Sequence, residues 1–298
     1  MPNTKLYFQY REPSPLMQVW INFQSNPFAL SALYCFGFIT LMMILAPVVS
    51  PFDANQQFSD LTSLPPSWDD DGKMRYFFGT DDLGRDMLSR IMHGARYSLG
   101  YPILIVLFAG IIGTALGAGA GMTRGLKSST LNHLLDVLLS IPSLLLALII
   151  IAILGPSLEN VVIALSLVLI PQFIHAVRNA VHDEIYKDYV VAAKLNGCST
   201  WYILTRVILP NITTVIVMQT TLALSTAILD IAALGFLGLG VQPPAPEWGT
   251  MLARSLDQVY LSPWLMVLPG LALFLTVFSI NVIGDSLRAA IQERIRNS

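Results

Sequence analysis

Two carboxylates set inside apolar sequence, Asp136 and Asp230, are the side chains best placed to do chemistry in this chain. Burying an acid in hydrocarbon costs on the order of 3 kcal/mol at a helix centre, and less near its ends. Each must therefore face protein or a water-filled cavity. Two readings stay open: they line a polar path through the molecule, or they hydrogen-bond packed helices together. Other reactive residues are dispersed. His93, His133, His175 and His182 are too far apart in sequence to form a local ligand set, and Cys35 and Cys198 make no CxxC pair. HExxH, GxSxG and the Gly-rich strand-to-helix fingerprint are all missing. The stretch Gly121 to Ser129 has a Lys, but not directly after its second Gly, so a turn between spans is expected there rather than a phosphate loop. Catalytic residues, resident metal and cofactor are accordingly expected to be none.

The composition says what must hold the two acids. Of 298 residues, 54% are hydrophobic and 12% charged, about half the charged share of a soluble domain. Charged residues are absent from Pro13 to Phe52, Tyr97 to Thr123, Val137 to Leu158, Asn160 to Val177, Val207 to Leu229 and Gln258 to Gly284. A hydrocarbon layer needs roughly 20 apolar residues of helix. This excludes a soluble enzyme, a disordered chain and a nucleic-acid binder, and it argues against an outer-membrane barrel, whose strands alternate over about 10 residues. An all-α integral membrane protein with six transmembrane helices is expected, with spans near 28–50, 97–121, 130–154, 158–177, 210–238 and 263–284. Helices are required because lipid offers backbone amides no partner. The first run is too long for a signal-peptide core and has no A-x-A site, so it is expected to remain as an anchor.

Six crossings put both ends on one side. Of the 17 basic residues, eleven fall on the side of the termini and six on the other. The positive-inside rule then places both termini in the cytoplasm. Asp136 lies near the inner end of the third span and Asp230 near the outer end of the fifth. Gly113, Gly117 and Gly121 recur every four residues, a spacing that allows helix backbones to approach closely. The fifth span is long enough that it must tilt, bend or project. Pro210 suits its first turn, and Gly238 and Gly240 suit its exit. Ahead of the second span, Leu83, Met87, Ile91, Ala95 and Leu99 mark one apolar face. An amphipathic helix at the outer membrane boundary is expected, with Asp86 paired to Arg90.

The segment 178–209 is the most regular of the polar connections. It reads as helix, turn, helix. Asp183 and Lys187 have the spacing of a helical ion pair. Gly197 fits a left-handed helix end, and Ser199 or Thr200 can cap the helix that follows. Ala192 and Ala193 beside the turn let another surface come close. A helical elbow that docks a partner is preferred to an ordinary loop.

At these residues the chain resembles the integral membrane subunits of ATP-binding-cassette importers. Their loop reads Glu-Ala-Ala, three residues, Gly, nine residues, Ile, one residue, Leu-Pro. Ala192, Ala193, Gly197, Leu209 and Pro210 match in register. Val207 replaces the Ile, and Val191 stands where Glu is expected, which removes a charged contact with the partner. Gly79-Thr-Asp-Asp-Leu-Gly-Arg-Asp-Met-Leu-Ser-Arg90, the run Gly235 to Gly249 containing Glu247-Trp248-Gly249, and Asn281-Val-Ile-Gly-Asp-Ser-Leu-Arg288 resemble the C-type permeases of the dipeptide, oligopeptide and nickel importers. The likeness runs from about residue 20 to 290. The wording of Leu229 to Phe236 and Ile141 to Ala147 looks closest to the Sap-type branch, associated with sensitivity to antimicrobial peptides.

That resemblance implies the type I ABC importer permease fold and a multi-pass place in the bacterial inner membrane. It implies a second homologous permease subunit, two cytoplasmic ATP-binding subunits that carry the ATP, and a periplasmic substrate-binding protein. The expected layout is a cytoplasmic segment 1–27, a first membrane helix 28–50, a periplasmic loop 51–96 with the amphipathic helix, a permease core 97–285 holding the coupling loop 178–209, and a cytoplasmic tail 286–298. Peptides are the implied substrate; nickel, haem and polyamines stay open. The rival expectation is an ion-gradient-driven carrier using Asp136 and Asp230, and a second rival is a membrane anchor that transports nothing.

Overall fold

The computed structural model describes residues 14–123 and 126–297. Arg124 and Gly125, within the turn expected after Gly121, lie outside the described residues. Among the described residues thirteen α-helices follow one another, and the only β pairing is a bridge between Thr80 and Asp86. Helix α1, Pro15–Gln24, precedes α2, Pro27–Val49, whose Asn26 cap accepts from the Phe28 amide at 3.0 Å. An irregular cap of residues 50–86 then leads to α3, Met87–Ala95. A π-helical turn, Arg96–Gly100, joins α3 without a break to α4, Tyr101–Gly121. Next come α5, Leu126–Leu139, α6, Ser143–Leu154, and α7, Leu158–Glu184. The chain continues through α8, Asp188–Leu195, α9, Thr200–Tyr202, a π-helical turn Ile203–Ile208, and α10, Leu209–Asn211. It ends with α11, Thr213–Phe236, the short α12, Trp248–Ser255, and α13, Trp264–Asn297.

Among the described residues five helices are long and apolar enough to cross a bilayer: Pro27–Val49, Met87–Gly121, Leu158–Glu184, Thr213–Phe236 and Trp264–Arg294. The third expected span, 130–154, is not one rod. Its halves α5 and α6 meet at an angle of 84°. Pro142 explains the break. It has no amide hydrogen to donate, and it pushes Ile141 away from helical geometry; Ser140 N still closes on Asp136 O at 3.0 Å, and α6 restarts after Pro142.

The expected separate interfacial helix is also corrected. Its apolar residues Met87, Ala95 and Leu99 are buried against Ile228, Trp248 and Met251, whereas Leu83 lies outside the helix and is exposed. The face packs on protein because α3 is the first part of the second long helix. Asp86 does not pair with Arg90. It caps α3, its Oδ2 accepting from Ser89 N at 2.8 Å and Ser89 Oγ at 2.7 Å. Arg90 and Arg85 instead converge on Asp81, at 3.4 and 2.7 Å, and Arg90 also donates to the Ala54 carbonyl at 3.0 Å.

Helices α4 and α7 form the tightest pair, for the reason the glycine spacing suggests. A Cβ on Gly113 would lie 2.3 Å from Phe173 Cβ, on Gly117 2.8 Å from Ile174 O, and on Gly121 2.6 Å from Val181 Cβ. Ile105, Val106 and Ala109 of α4 are buried with Leu165, Leu169 and Phe173 of α7 and with Ala223, Ala227 and Ile231 of α11. On the other side α13 packs against α11, where Gly284 meets Thr221 and Ser225 Oγ donates to Asn281 Oδ1 at 2.8 Å.

Candidate functional site

The elbow begins where α7 stops. Glu184 is buried, accepts from Tyr189 Oη and lies 2.7 Å from Lys187 Nζ. Burial first, and then the Glu184 carboxylate, hold the Tyr189 hydroxyl above its usual ionisation range. The expected Asp183–Lys187 pair does not form, because Lys187 turns to Glu184 and Asp183 lies 4.0 Å from His182 Nδ1. Three residues then reverse the chain. Gly197 has φ +77°, its N donates to Lys194 O at 3.0 Å, and Cys198 N reaches Ala193 O at 3.2 Å. These bonds satisfy carbonyls that a helix end would otherwise leave open. Ser199, rather than Thr200, caps α9 by accepting from Tyr202 N at 3.2 Å.

Residues 200–211 form a second arm lying against the end of α7. Val190, Ile203, Ile208 and Ile212 are buried with Ala118, Val177, Val181 and Ile185. The elbow is therefore anchored by an apolar seam, while its far face is open: Leu195 is 84% and Trp201 74% exposed. Ala192 and Gly197 are exposed and Ala193 half-buried, so these three sit together at the tip. Leu209 and Pro210 lie at the other end of the arm, about 15 Å along the helix from Ser199. Val191, at the position of the expected Glu, is exposed.

The two intramembrane acids occupy different settings. Asp136, half-exposed on α5, has Oδ1 3.5 Å from His175 Nε2 of α7, and Asn179 Nδ2 stands 3.2 Å from the same ring nitrogen. The histidines that looked scattered in sequence thus include one brought to Asp136 by helix packing. Asp230 is buried on α11, with Ser143 of α6 as hydrogen-bonding neighbour, and its Oδ2 has no donor. One turn before Asp230, Thr226 lines a cavity of about 290 Å³ at the α5–α6 bend, together with Ser143 and with Gln172 of α7.

The sequence reading gave no role to another buried acid. Glu247 is fully enclosed at the start of α12. Its Oε1 accepts from Gly249 N at 2.7 Å and Ser98 Oγ at 3.0 Å, and its Oε2 accepts from Thr250 N at 2.7 Å. Ser98 in turn accepts from Trp248 N at 2.9 Å, and Trp248 Nε1 donates to Ile91 O at 3.0 Å. Burial raises the Glu247 carboxyl to about 7, against the pull of its three donors. A Cβ on Gly235 would fall 2.1 Å from Glu247 Oε2, so that position has room only for glycine. The signal available in sequence was the glycine-rich run 235–249, but nothing in it says that Ser98 would be the partner.

A multi-pass helical body with an anchored elbow exposed at one end and a polar cavity among its long helices is the build of a membrane transport permease. The chain belongs to the family described as binding-protein-dependent transport system inner membrane component, whose model matches residues 113–297. Residues 14–66 match the N-terminal transmembrane domain of oligopeptide transport permease C. Among curated relatives, the peptide transport system permease protein SapC of Salmonella typhimurium is 47% identical over 98% of both chains. SapC of Escherichia coli O6:H1 is 46% identical over 98% of both. The di/tripeptide transport system permease protein DppC of Pseudomonas aeruginosa is 45% identical over 96% of this chain and 94% of its own. A chain of the inward-facing MetNI methionine ABC transporter superposes with TM-score 0.58 at 22% identity, covering 69% of this chain and 97% of its own. The protein is thus a permease component of the inner membrane with a type I ABC permease fold.

Proposed function

We propose that the protein is one half of a heterodimeric permease in an ATP-driven peptide importer, with antimicrobial peptides among its substrates. A homologous permease supplies the other half of the path. Two cytoplasmic ATPases grip the elbow at Ala192, Ala193 and Gly197, and Leu209 and Pro210 carry the motion into α11. A periplasmic binding protein delivers the peptide. Both termini lie in the cytoplasm. Nucleotide acts by favouring one arrangement of the ATPases over the other, so the elbow shifts the population of inward- and outward-open states. Asp136 and Asp230 face the path. The anchored elbow carries this reading: one arm is fixed to α7 by a buried seam and Glu184, and the tip is exposed.

The test uses the four-part complex reconstituted with its binding protein. Gly197→Asp is expected to leave insertion intact while breaking the link between ATP hydrolysis and peptide uptake. A Cβ at Gly197 meets nothing within 4 Å, and Asp tolerates left-handed backbone better than most residues. The effect must therefore come from a charge placed on the docking surface. Wild-type coupling in that variant would contradict the proposal.

A further inference from the structure

We infer that helix α1 lies in the membrane–water boundary at the start of α2, with Leu16, Met17, Trp20 and Ile21 seated in lipid. The inference does not depend on what the permease carries. It moves residues 15–24 out of the aqueous cytoplasmic segment in which the sequence alone would leave them. The pattern of exposure on α1 is inverted. With 3.6 residues per turn, Leu16, Met17, Trp20, Ile21 and Gln24 fall within a sector of about 140°, and all five are exposed. The opposite sector holds Gln18, Val19, Asn22 and Phe23, and all four are partly or fully covered. The covered face thus carries two amides, and the open face four large apolar side chains. No residue of α1 is charged. A helix facing water shows the reverse arrangement, apolar inward and polar outward. Trp20 is stacked on the buried Phe23 ring, with centroids 5.8 Å apart and planes at 10°.

The position of α1 names lipid as the cover. Helix α2 has 23 residues, about 35 Å of rise, close to the thickness of the hydrocarbon layer. Its first residue, Pro27, therefore stands at the boundary, and α1 ends only three positions earlier at Gln24. Nor does α1 run on outward into water. Val19 and Phe23 share one apolar cluster with Ala29 and Leu33 of α2 and with Ile283, Leu287 and Ala290 of α13. Those three α13 residues span roughly 10 Å of rise, so α1 is folded against the same short stretch of α13 as the beginning of α2. Asn26, at the joint, caps α2 and brings its Nδ2 to 3.4 Å from Ser286 Oγ in that stretch. The open face of α1 leads directly to that of α2, where Phe28, Tyr34 and Phe38 are all more than half exposed. Side chains of this kind on a membrane span meet lipid. An apolar helix face with an indole at headgroup depth is the build of an interfacial helix.

The test uses the assembled permease–ATPase complex in nanodiscs of phosphatidylethanolamine and phosphatidylglycerol, with Cys35 and Cys198 replaced by Ser. Nitroxides at Met17→Cys and Ile21→Cys are compared with one at Asp70→Cys, an exposed position of the cap. Collisions with oxygen, which concentrates in lipid, should be at least as frequent at 17 and 21 as at 70. Collisions with a neutral nickel chelate, which stays in water, should be roughly fivefold rarer. Native Trp20 gives a second measurement that needs no label. Brominated acyl chains should quench more emission from the wild-type complex than from Trp20→Phe. Free access of nickel to 17 and 21 would put α1 in water and overturn the inference. Poor access of both reagents would mean that protein covers the face, and would overturn it equally. So would equal quenching of wild type and Trp20→Phe.

Discussion

Glu247 shows how far enclosure changes one side chain. It ionises near 4.5 in an unfolded chain and at about 7 in the folded one. Between those values the folded state holds the extra proton, so the stability tied to this group is full below about pH 4.5 and falls as pH rises toward 7. The span corresponds to on the order of 3 kcal/mol. Thermal midpoints of the purified complex from pH 4.5 to 8, for wild type and Glu247→Gln, should show the wild-type advantage shrinking as pH rises. A difference that stays flat with pH would count against it. Gly113 makes a steric counterpart. Gly113→Val places new carbons where Phe173 Cβ already stands. Overpacking of this kind costs roughly 1–3 kcal/mol, so a lower melting temperature and reduced membrane abundance are expected.

At the scale of elements, hydropathy gave length but not direction. The glycine spacing on α4 correctly predicted a close helix pair, since the steric requirement is local to one face. The left-handed turn at Gly197 and the exit at Gly238 were legible for a similar reason: both have φ near +75°, which favours glycine. The 84° break within 130–154 was missed although Pro142 marks it, because hydropathy reads the charge-free run from Val137 to Leu158 the same whether straight or bent. Nor was the fusion of α3 with α4, since an amphipathic face does not say whether lipid headgroups or protein will cover it. Ion pairs failed where a nearer partner existed, as with Lys187 and Glu184. That last contact fixes the elbow to α7, and its loss is predictable. Glu184→Ala leaves Tyr189 without its acceptor and Lys187 without its partner. ATPase stimulation by loaded binding protein should drop about tenfold while complex assembly persists. Glu184→Gln, which still accepts from Tyr189, should lose less. Equal losses in the two variants would mean that the Tyr189 contact is unimportant to coupling.

For the whole molecule, parity decides topology. Five long helices alone would put the termini on opposite sides, and the broken α5–α6 pair settles the matter if it crosses. Helix α6 has 12 residues, about 18 Å of rise, too short to span about 30 Å of hydrocarbon. The pair nevertheless accompanies α7 along most of its length. Asn160 Nδ2 near the start of α7 donates to Leu154 O and Gly155 O at the end of α6, both at 2.9 Å. Asp136 of α5 meets His175, about 22 Å further along α7 from Asn160. Counted as one span, the pair brings the crossings to six. On the proposed reading, six crossings put residues 50–86 and the elbow on opposite faces, with both termini on the elbow's face. In a variant with Cys35 and Cys198 replaced by Ser, single cysteines at Asp70 and at Lys194 would report this. A membrane-impermeant maleimide should label position 70 in intact spheroplasts and position 194 only after permeabilisation. Labelling of both from outside would mean that the broken pair does not cross, and the elbow could not then meet a cytoplasmic ATPase.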